Sequence, residues 1–331
     1  MRNSSKIIVG AGAAVALLGC SLVAQDDDGR LLELIRSAPR MNLERTEFMF
    51  APRLLTTSSE VQRAVSCVAV DRRGYVYAIQ RGVPNPVIVA DPSGKVVTSW
   101  GNGLFKIPHA VRIDPEGNVW TVDAESSILY KFTPAGRRLL EINVGGQPAS
   151  DRPRRRPPGP GPPLVGHFWG TTDVAFGAGG HVFVSDGYAN NRILEYDATG
   201  RRVKEWGTKG TGPGEFDLPH AIAAAPNGDL YIADRENGRI QWLKSDGAYQ
   251  GKWDIGGRLF SVAVGRENDL YFTVGAKQAL GYAEGWLVRM DLKSGRLLGY
   301  IEAPTHLLSI APDGTLFVGA GDGTVQRYRP R

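Results

Sequence analysis

Three of the five histidines in this 331-residue chain recur in one sequence context. His109, His220 and His306 each open a short apolar stretch, "HAVRI", "HAIAA" and "HLLSI". Neutral imidazole is a common zinc ligand, and three imidazoles with an open fourth position form a typical catalytic zinc arrangement. A single histidine at a strand start is equally well explained by a hydrogen bond to a neighbouring backbone group. The metal prediction therefore depends on whether the fold brings the three side chains together.

A repeated pattern of strands supplies the elements that would position these histidines. Six segments combine an apolar strand, a turn of the Asp-Pro-x-Gly kind and a second strand rich in aromatic and β-branched residues; they begin at Ser66, His109, Thr172, His220, Phe260 and His306. A third and often a fourth strand follow, which gives a repeat of roughly 40 to 60 residues, typical of a propeller blade. We therefore predict an all-β, six-bladed β-propeller with four-stranded blades over residues 61–331.

The three histidines occupy one equivalent position, and they do so only in the even-numbered blades. The innermost strands of a propeller face its central channel, and alternate blades of a six-fold ring lie about 120° apart. The three imidazoles would then converge on the channel axis at one height. A metal held there would acidify a bound water or hydroxyl and polarise a carbonyl.

The corner after the second strand of each blade lies at the same mouth of the channel. Blade one has Arg81 at this corner, and an arginine there suits an anionic or carboxylate ligand. Tyr188 follows the corner of blade three and is a candidate general base if a nearby cation and metal lower its pKa. Three other blades carry an aspartate just before the corner, and capping of the following turn explains these residues, Asp123, Asp186 and Asp234.

The first residues of the chain have the features of an export signal. A basic start and the apolar run "IIVGAGAAVALLG" predict a signal peptide over residues 1–24, because the run is too short to span a bilayer as a mature helix. The sequence "LLGC" resembles a lipoprotein cleavage box, which would limit the signal to residues 1–19 and attach a lipid to Cys20. Ordinary cleavage after Ala24 is the alternative. Either route predicts an exported protein, located in the bacterial periplasm, on the outer membrane as a lipoprotein, or secreted.

Three further segments stand outside the repeat. We interpret residues 25–60 as a tether or short helix followed by a strand, within residues 45–55, that completes the last blade and closes the ring. Residues 148–164 are rich in proline and arginine, and proline lacks the donor that a strand ladder requires. They predict a solvated loop, or alternatively a flap over the active face or a contact for acidic groups. Residues 275–285 form a smaller insertion in blade five.

Composition and cysteine content exclude several classes of protein. With 42% apolar residues, 22% charged residues and a net charge of +5 that is scattered along the chain, a soluble globular protein is expected and nucleic-acid binding is not. Cys67 is the only cysteine besides Cys20 and lies in an apolar strand, so we expect a small buried residue. Once Cys20 is lipidated or removed, neither an intramolecular disulfide nor a catalytic dithiol can form.

The stretches "TTDVAFGAGGHVFVSDGYANNRILEY", "GPGEFDLPHAIA" and "ADRENGRIQ" resemble the peptidyl-α-hydroxyglycine α-amidating lyase (peptidylamidoglycolate lyase) family of NHL-repeat propellers. The resemblance extends over about residues 62–330 and is strongest over residues 165–245. It implies a zinc-dependent lyase that splits a C-terminal α-hydroxyglycine into a peptide amide and glyoxylate. In this sequence the implied zinc ligands are His109, His220 and His306. The implied catalytic residues are Arg81 and Tyr188.

Several positions depart from the family pattern. Pro304 replaces a methionine two residues before the third histidine, and Leu307 replaces an aspartate that would bind a structural calcium. The remaining implied calcium ligands are the backbone carbonyls of Val68 and Val111. Because carbonyls alone hold a hard cation weakly, calcium is not expected to be retained. Ala189 replaces a family cysteine, so the family's disulfides are absent.

Three functions remain as hypotheses at this stage. The first is an exported zinc-dependent lyase that acts on a small peptide or another hydroxyglycine-like substrate and meets a membrane only through a lipid at Cys20. The alternative is a non-catalytic NHL-repeat propeller that binds a peptide, a glycan or a protein partner. A propeller hydrolase such as a lactonase is disfavoured, because that class usually holds calcium through Asp, Asn and Glu where this chain places histidine.

Overall fold

The computed structural model of the protein describes residues 28–50, 64–145 and 170–330. Within these ranges the chain forms twenty-four β-strands and one α-helix, α1 (residues 28–36). The strands make six four-stranded sheets with antiparallel neighbours. The predicted all-β, six-bladed propeller is therefore confirmed.

Each blade runs from an inner strand at the channel to an outer strand at the rim. Blade one contains β2 (Val65–Val70), β3 (Val76–Gln80), β4 (Val87–Ala90) and β5 (Val96–Trp100). Blade two contains β6 (Pro108–Ile113), β7 (Val119–Asp123), β8 (Ile128–Phe132) and β9 (Arg138–Asn143). Blade three contains β10 (Asp173–Phe176), β11 (Val182–Asp186), β12 (Arg192–Tyr196) and β13 (Arg202–Trp206).

The second half of the ring follows the same plan. Blade four contains β14 (Pro219–Ala224), β15 (Asp229–Asp234), β16 (Arg239–Lys244) and β17 (Tyr249–Asp254). Blade five contains β18 (Arg258–Val264), β19 (Asp269–Gly275), β20 (Glu284–Asp291) and β21 (Leu297–Pro304). Blade six contains β22 (Leu308–Ile310), β23 (Leu316–Gly319), β24 (Thr324–Pro330) and, as its fourth strand, β1 (Leu43–Phe50).

The last blade is completed from the N-terminal side of the chain. Strand β1 pairs antiparallel with β24, with Leu43 opposite Pro330 and Phe50 opposite Thr324. It begins two residues before the range expected for this strand. The ring of Phe48 packs edge-on against Phe317 of β23, with 5.3 Å between the ring centroids. Because β1 pairs with β24, the outer edge of β24 is not left unpaired, and blade six has four strands like the other blades.

Helix α1 covers the core rather than acting as a free tether. Leu31 and Ile35 are four residues apart, lie on one face of the helix and are both buried. A Cβ added to Gly257 would lie 2.6 Å from the Leu31 side chain, so the helix packs closely on the start of blade five. After the helix, the main chain of Met41 donates to the carbonyl of Tyr300 in β21 at 2.8 Å.

Several predictions concern residues outside the described ranges. The signal segment over residues 1–24, the lipid attachment at Cys20 and the proline-rich segment at residues 148–164 all lie there, and they stay predictions. Among the residues that are described, no helix is long and apolar enough to cross a membrane.

Candidate active site

A strand irregularity aims one residue into the channel from the inner strands of four blades. In β6 and β14 the pairing with the next strand skips His109 and His220, respectively. The same skip occurs in blades one and five, at Ser66 and Phe260. A β-bulge leaves one residue out of the ladder and redirects its side chain. His109 and His220 therefore face the axis because the strand that carries each of them is interrupted there, whereas His306 lies just before the start of β22.

The structure brings the three predicted metal ligands together. The ring centroids are 5.1 Å apart for His109 and His220, 5.2 Å for His109 and His306, and 5.4 Å for His220 and His306. One nitrogen of each ring lies within 4.8 Å of the others, so the three could hold one metal ion. All three side chains are buried.

Backbone carbonyls fix which nitrogen of each ring faces the axis. Each Nδ1 is hydrogen-bonded to the carbonyl at the equivalent position of the next, odd-numbered blade: His109 to Thr172 at 2.6 Å, His220 to Phe260 at 2.7 Å, and His306 to Ser66. A carbonyl oxygen only accepts, so each Nδ1 must donate a proton. The lone pair of each neutral ring is then at Nε2, the arrangement that orients metal-binding histidines in proteins.

The electrostatics of the channel keep the three rings neutral. Burial holds the pKa of His109, His220 and His306 well below the usual value for histidine. The positive charge of Arg235 lowers the pKa of all three histidines further, and that of Arg81 lowers the pKa of His109 and His306. A neutral imidazole is the form that binds a metal, so burial prepares the site for binding at neutral pH.

Tyr188 lies directly against the histidine centre. Its hydroxyl is 2.8 Å from Nε2 of His109 and 3.1 Å from Nε2 of His220. Burial raises the pKa of Tyr188 to about 12, although Arg235 and Arg81 act in the opposite direction. In the metal-free protein the tyrosine is therefore protonated, and the two arginines alone do not convert it into a base. A bound cation at Nε2 is the further charge that its proposed role requires.

Arg81 lies beside the same centre and is buried. Its Nη2 is 3.4 Å from the hydroxyl of Ser66, and its Nε is 3.3 Å from the carbonyl of Pro108. The side chain therefore bridges the inner strands of blades one and two at the level of the histidines. The structure thus places both Arg81 and Tyr188 beside the three histidines.

A second arginine at the mouth was overlooked in the sequence. The guanidinium of Arg235 lies 5.8 Å from the ring of Tyr188 and 5.6 Å from that of Phe260, and it forms an ion pair with Glu236 at 2.9 Å. Arg235 occupies the same blade corner as Arg81, so an arginine at that corner was the available signal.

The blade-five loop, residues 276–283, contributes a second tyrosine that the repeat pattern did not reveal. The ring of Tyr282 stacks on His306, with 4.3 Å between centroids and 14° between planes. The guanidinium carbon of Arg81 lies 5.7 Å from the centroid of the Tyr282 ring. The residue has a φ of +75°, which is uncommon outside glycine, and its N–H donates to the carbonyl of Thr305 at 2.7 Å. An insertion has no equivalent in other blades, so alignment of the blades could not place it.

The three corner aspartates have structural partners. Asp123 accepts from the main-chain N–H groups of Ile107 and Ser126 at 2.8 and 2.7 Å. The other two are held by arginines of the same blade, Asp186 by Arg192 at 2.8 Å and Asp234 by Arg239 at 2.7 Å. Their roles are turn capping for Asp123 and ion pairing for the other two.

The residues at the implied calcium position do not fit that ion. Leu307 is fully buried and offers no ligand. The guanidinium of Arg112 reaches the same region, where its Nη1 lies 3.2 Å from the sulfur of Cys67, and that sulfur lies 3.3 Å from the carbonyl of Val111. A fixed positive charge repels a divalent cation. Calcium is therefore not part of the proposed chemistry. Val68, the other implied carbonyl ligand, follows Cys67 directly.

Cys67 is buried in the hydrophobic core, as expected, and it also contacts polar groups there. Besides the carbonyl of Val111 it contacts Arg112. Burial raises the pKa of its thiol to about 11, despite the opposing charge of Arg112. The sulfur is therefore a protonated thiol, and it is a free cysteine.

Comparison with known proteins agrees with this architecture. An NHL repeat family model matches residues 216–243. Peptidyl-glycine alpha-amidating monooxygenase A of Xenopus laevis is 33% identical over 285 residues, which cover 78% of this chain and 29% of that protein. A probable peptidyl-alpha-hydroxyglycine alpha-amidating lyase of Caenorhabditis elegans is 29% identical over 306 residues, 80% of this chain and 81% of the relative. The solved structure of a streptogramin B lyase has a TM-score of 0.57 at 14% identity, covers 88% of this chain and 98% of its own, and supports the fold.

The fold and the centre together define a six-bladed propeller with three histidines converging on its axis. The chain spans 29% of the length of the Xenopus relative and most of the length of the Caenorhabditis relative. Within that class, the chain is similar to peptidyl-alpha-hydroxyglycine alpha-amidating lyases of Caenorhabditis elegans and Drosophila melanogaster, at 29 to 36% identity, and part of blade four matches the NHL repeat.

Proposed function

We propose that the protein is a zinc-dependent lyase that cleaves the N–C bond of a peptidyl-α-hydroxyglycine, or of a similar hemiaminal, to an amide and glyoxylate. The observation that carries this proposal is the convergence of three carbonyl-oriented histidines with Tyr188 hydrogen-bonded to two of their Nε2 atoms. The names of its relatives supply the reaction class.

The donor set fits zinc. Three neutral nitrogen ligands with a fourth position open to substrate are typical of catalytic zinc sites. A zinc ion held by His109, His220 and His306 would act as a Lewis acid that acidifies the substrate hydroxyl.

Tyr188 is the residue placed to move the proton. Its Oη lies at the Nε2 atoms, where the substrate hydroxyl would bind. In the proposed reaction Tyr188 would start as the phenolate that a zinc ion held by the histidines favours, and its Oη takes the hydroxyl proton. The O–H electron pair forms the C=O bond of glyoxylate, and the N–C pair goes to the amide nitrogen. The proton on Tyr188 then passes to that nitrogen, so the tyrosine ends each cycle as it began. Arg235, beside the Tyr188 ring, stabilises the phenolate from which the cycle starts and to which it returns.

Arg81 is the residue placed to hold the substrate's carboxylate. Guanidinium binds a carboxylate through two parallel hydrogen bonds, which fix its orientation. Arg81 is buried, so its charge acts through a lower effective dielectric than at the surface. The same contact would stabilise the glyoxylate as it forms.

The proposal is tested by assaying glyoxylate release from a peptide that ends in α-hydroxyglycine. We expect about one zinc per chain and release of glyoxylate in equal amount to the peptide amide. In His220→Ala both the bound zinc and the release should be lost, because one of three ligands is removed. A protein that binds zinc through these histidines but releases no glyoxylate would contradict the lyase and favour a binding propeller.

The site of action is a separate proposal. We infer that the protein works outside the cytoplasm, since residues 1–24 have the composition of an export signal. Mass spectrometry of the N-terminus of the mature protein tests this. A lipidated Cys20 or cleavage after Ala24 is expected, and an intact Met1 would contradict export.

A further inference from the structure

A second charged cluster lies in the channel wall, further along the inner strands than the histidines. Arg112, three residues after His109, makes a two-pronged ion pair with Asp173: Nε to Oδ1 at 2.9 Å and Nη2 to Oδ2 at 2.8 Å. Asp173 is fully buried, and the Arg112 side chain is only 15% exposed. Burying such a pair is costly unless its remaining donors are satisfied.

The remaining donors of Arg112 are used across the ring closure. Its Nη1 donates to the carbonyl of Leu308 in blade six at 3.0 Å and to the sulfur of Cys67 in blade one at 3.2 Å. Asp173 belongs to blade three and Arg112 to blade two. One guanidinium therefore connects four of the six blades, including the pair in which the chain's first and last blades meet.

The same contacts stand next to the groups that orient the histidines. Cys67 follows Ser66, whose carbonyl holds Nδ1 of His306. Asp173 follows Thr172, whose carbonyl holds Nδ1 of His109. A shift of any of these inner strands would move a carbonyl relative to the ring that it orients.

We infer that Arg112 is a positioning residue, a built-in cation that takes the place of a structural calcium ion and fixes the strands that orient the histidine centre. Three features support this. Buried Leu307 stands where the resemblance implies an acidic calcium ligand, the guanidinium of Arg112 contacts the carbonyl of the next residue, Leu308, and it also reaches Cys67, which precedes the implied carbonyl ligand Val68. A guanidinium is permanently charged and covalently attached, so the centre keeps its cation whatever the calcium concentration.

The replacement of calcium is tested on the whole zinc-loaded protein. Its melting temperature should be the same with and without millimolar calcium, and no stoichiometric calcium should remain after dialysis. In Arg112→Ser with Leu307→Asp, which removes the guanidinium and restores a carboxylate, calcium should raise the melting temperature. If calcium raised the melting temperature of the wild type, or failed to raise that of the double variant, the proposal that Arg112 replaces calcium would be overturned.

The positioning role is tested by zinc affinity, measured by competition with a chromogenic chelator. Arg112→Ser should bind zinc at least about tenfold more weakly, the usual size of an outer-shell effect on a metal site. Arg289→Ser is the matched control, because it breaks an ion pair with Asp269 that lies within blade five. It should lower the melting temperature and leave zinc affinity unchanged. Equal zinc affinity in Arg112→Ser and the wild type would refute the role.

Two milder variants keep this test decisive if Arg112→Ser does not fold. Arg112→Lys keeps the charge but loses the two-pronged contact, and Asp173→Asn keeps the shape but loses the charge. Both should bind zinc more weakly than the wild type and than Arg289→Ser. Wild-type affinity in both would overturn the proposal. None of these measurements depends on lyase activity.

Discussion

Each of the three histidines takes its orientation from a residue of another blade. The residues at the aligned position alternate around the ring. The even blades supply the histidine rings, and the odd blades supply the backbone carbonyls that accept the hydrogen bond from each Nδ1. The sequence predicted the histidines because they share one place in the repeat. The orienting role of Ser66, Thr172 and Phe260 was not predictable, since it uses backbone atoms that every residue has.

Other parts of the site depend on contacts between distant residues. Arg112 and Asp173 are 61 residues apart in the chain, and neither position repeats between blades. Tyr282 comes from an insertion, and the bulges at His109 and His220 leave no mark in the residue pattern. Sequence periodicity reveals the positions that all blades share. These features are not shared by all blades, so periodicity could not predict them.

At the residue scale, Tyr188→Phe tests the proton-moving role. The change removes only the hydroxyl that contacts the two Nε2 atoms. We expect kcat to fall by about 10²- to 10⁴-fold, the range for loss of a general acid–base group, with about one zinc per chain retained. Zinc analysis and glyoxylate release on the same sample provide the check. Wild-type kcat in this variant would remove Tyr188 from the mechanism.

At the element scale, the blade-five loop acts through the stacked ring of Tyr282. Tyr282→Leu removes the stacking on His306, whereas Tyr282→Phe keeps it. Aromatic contacts of this kind contribute about 0.5–1.5 kcal/mol, so Tyr282→Leu should weaken zinc binding roughly two- to tenfold. Tyr282→Phe should bind zinc as the wild type does. Equal zinc affinities in the wild type, Tyr282→Leu and Tyr282→Phe would show that the stacking does not position His306 for zinc.

Strand β1 makes a separate prediction about ring closure. Phe48 is buried and packs against Phe317 of β23, which lies beyond β24 in the same blade. Phe48→Ala should reduce the free energy of unfolding by about 3 kcal/mol, because a buried aromatic side chain is lost from the contact between the two ends of the chain. Urea denaturation measures this. Glu47→Ala, at an exposed neighbour, is the control and should change it by less than about 0.5 kcal/mol. A similar effect of both would mean that β1 adds little to closure.

At the scale of the whole molecule, the propeller converts a repeated strand position into one site. Six inner strands meet at the channel, and the alternation of residue types among them places three ligands in a near-equilateral triangle. Closure by β1 and the Arg112 contacts both join blade six to the start of the ring. The blade count and the closing strand were predictable because an incomplete last blade requires a partner from elsewhere in the chain.

The central claim is that the three-histidine centre binds zinc and that this zinc is required for lyase activity. The most direct test is to titrate metal-free protein with zinc while following glyoxylate release from an α-hydroxyglycine peptide. Activity should rise linearly and level off at about one equivalent of zinc per chain, with no such rise in His220→Ala. Glyoxylate release that is independent of zinc, or a chain that takes up one equivalent without gaining activity, would contradict the claim.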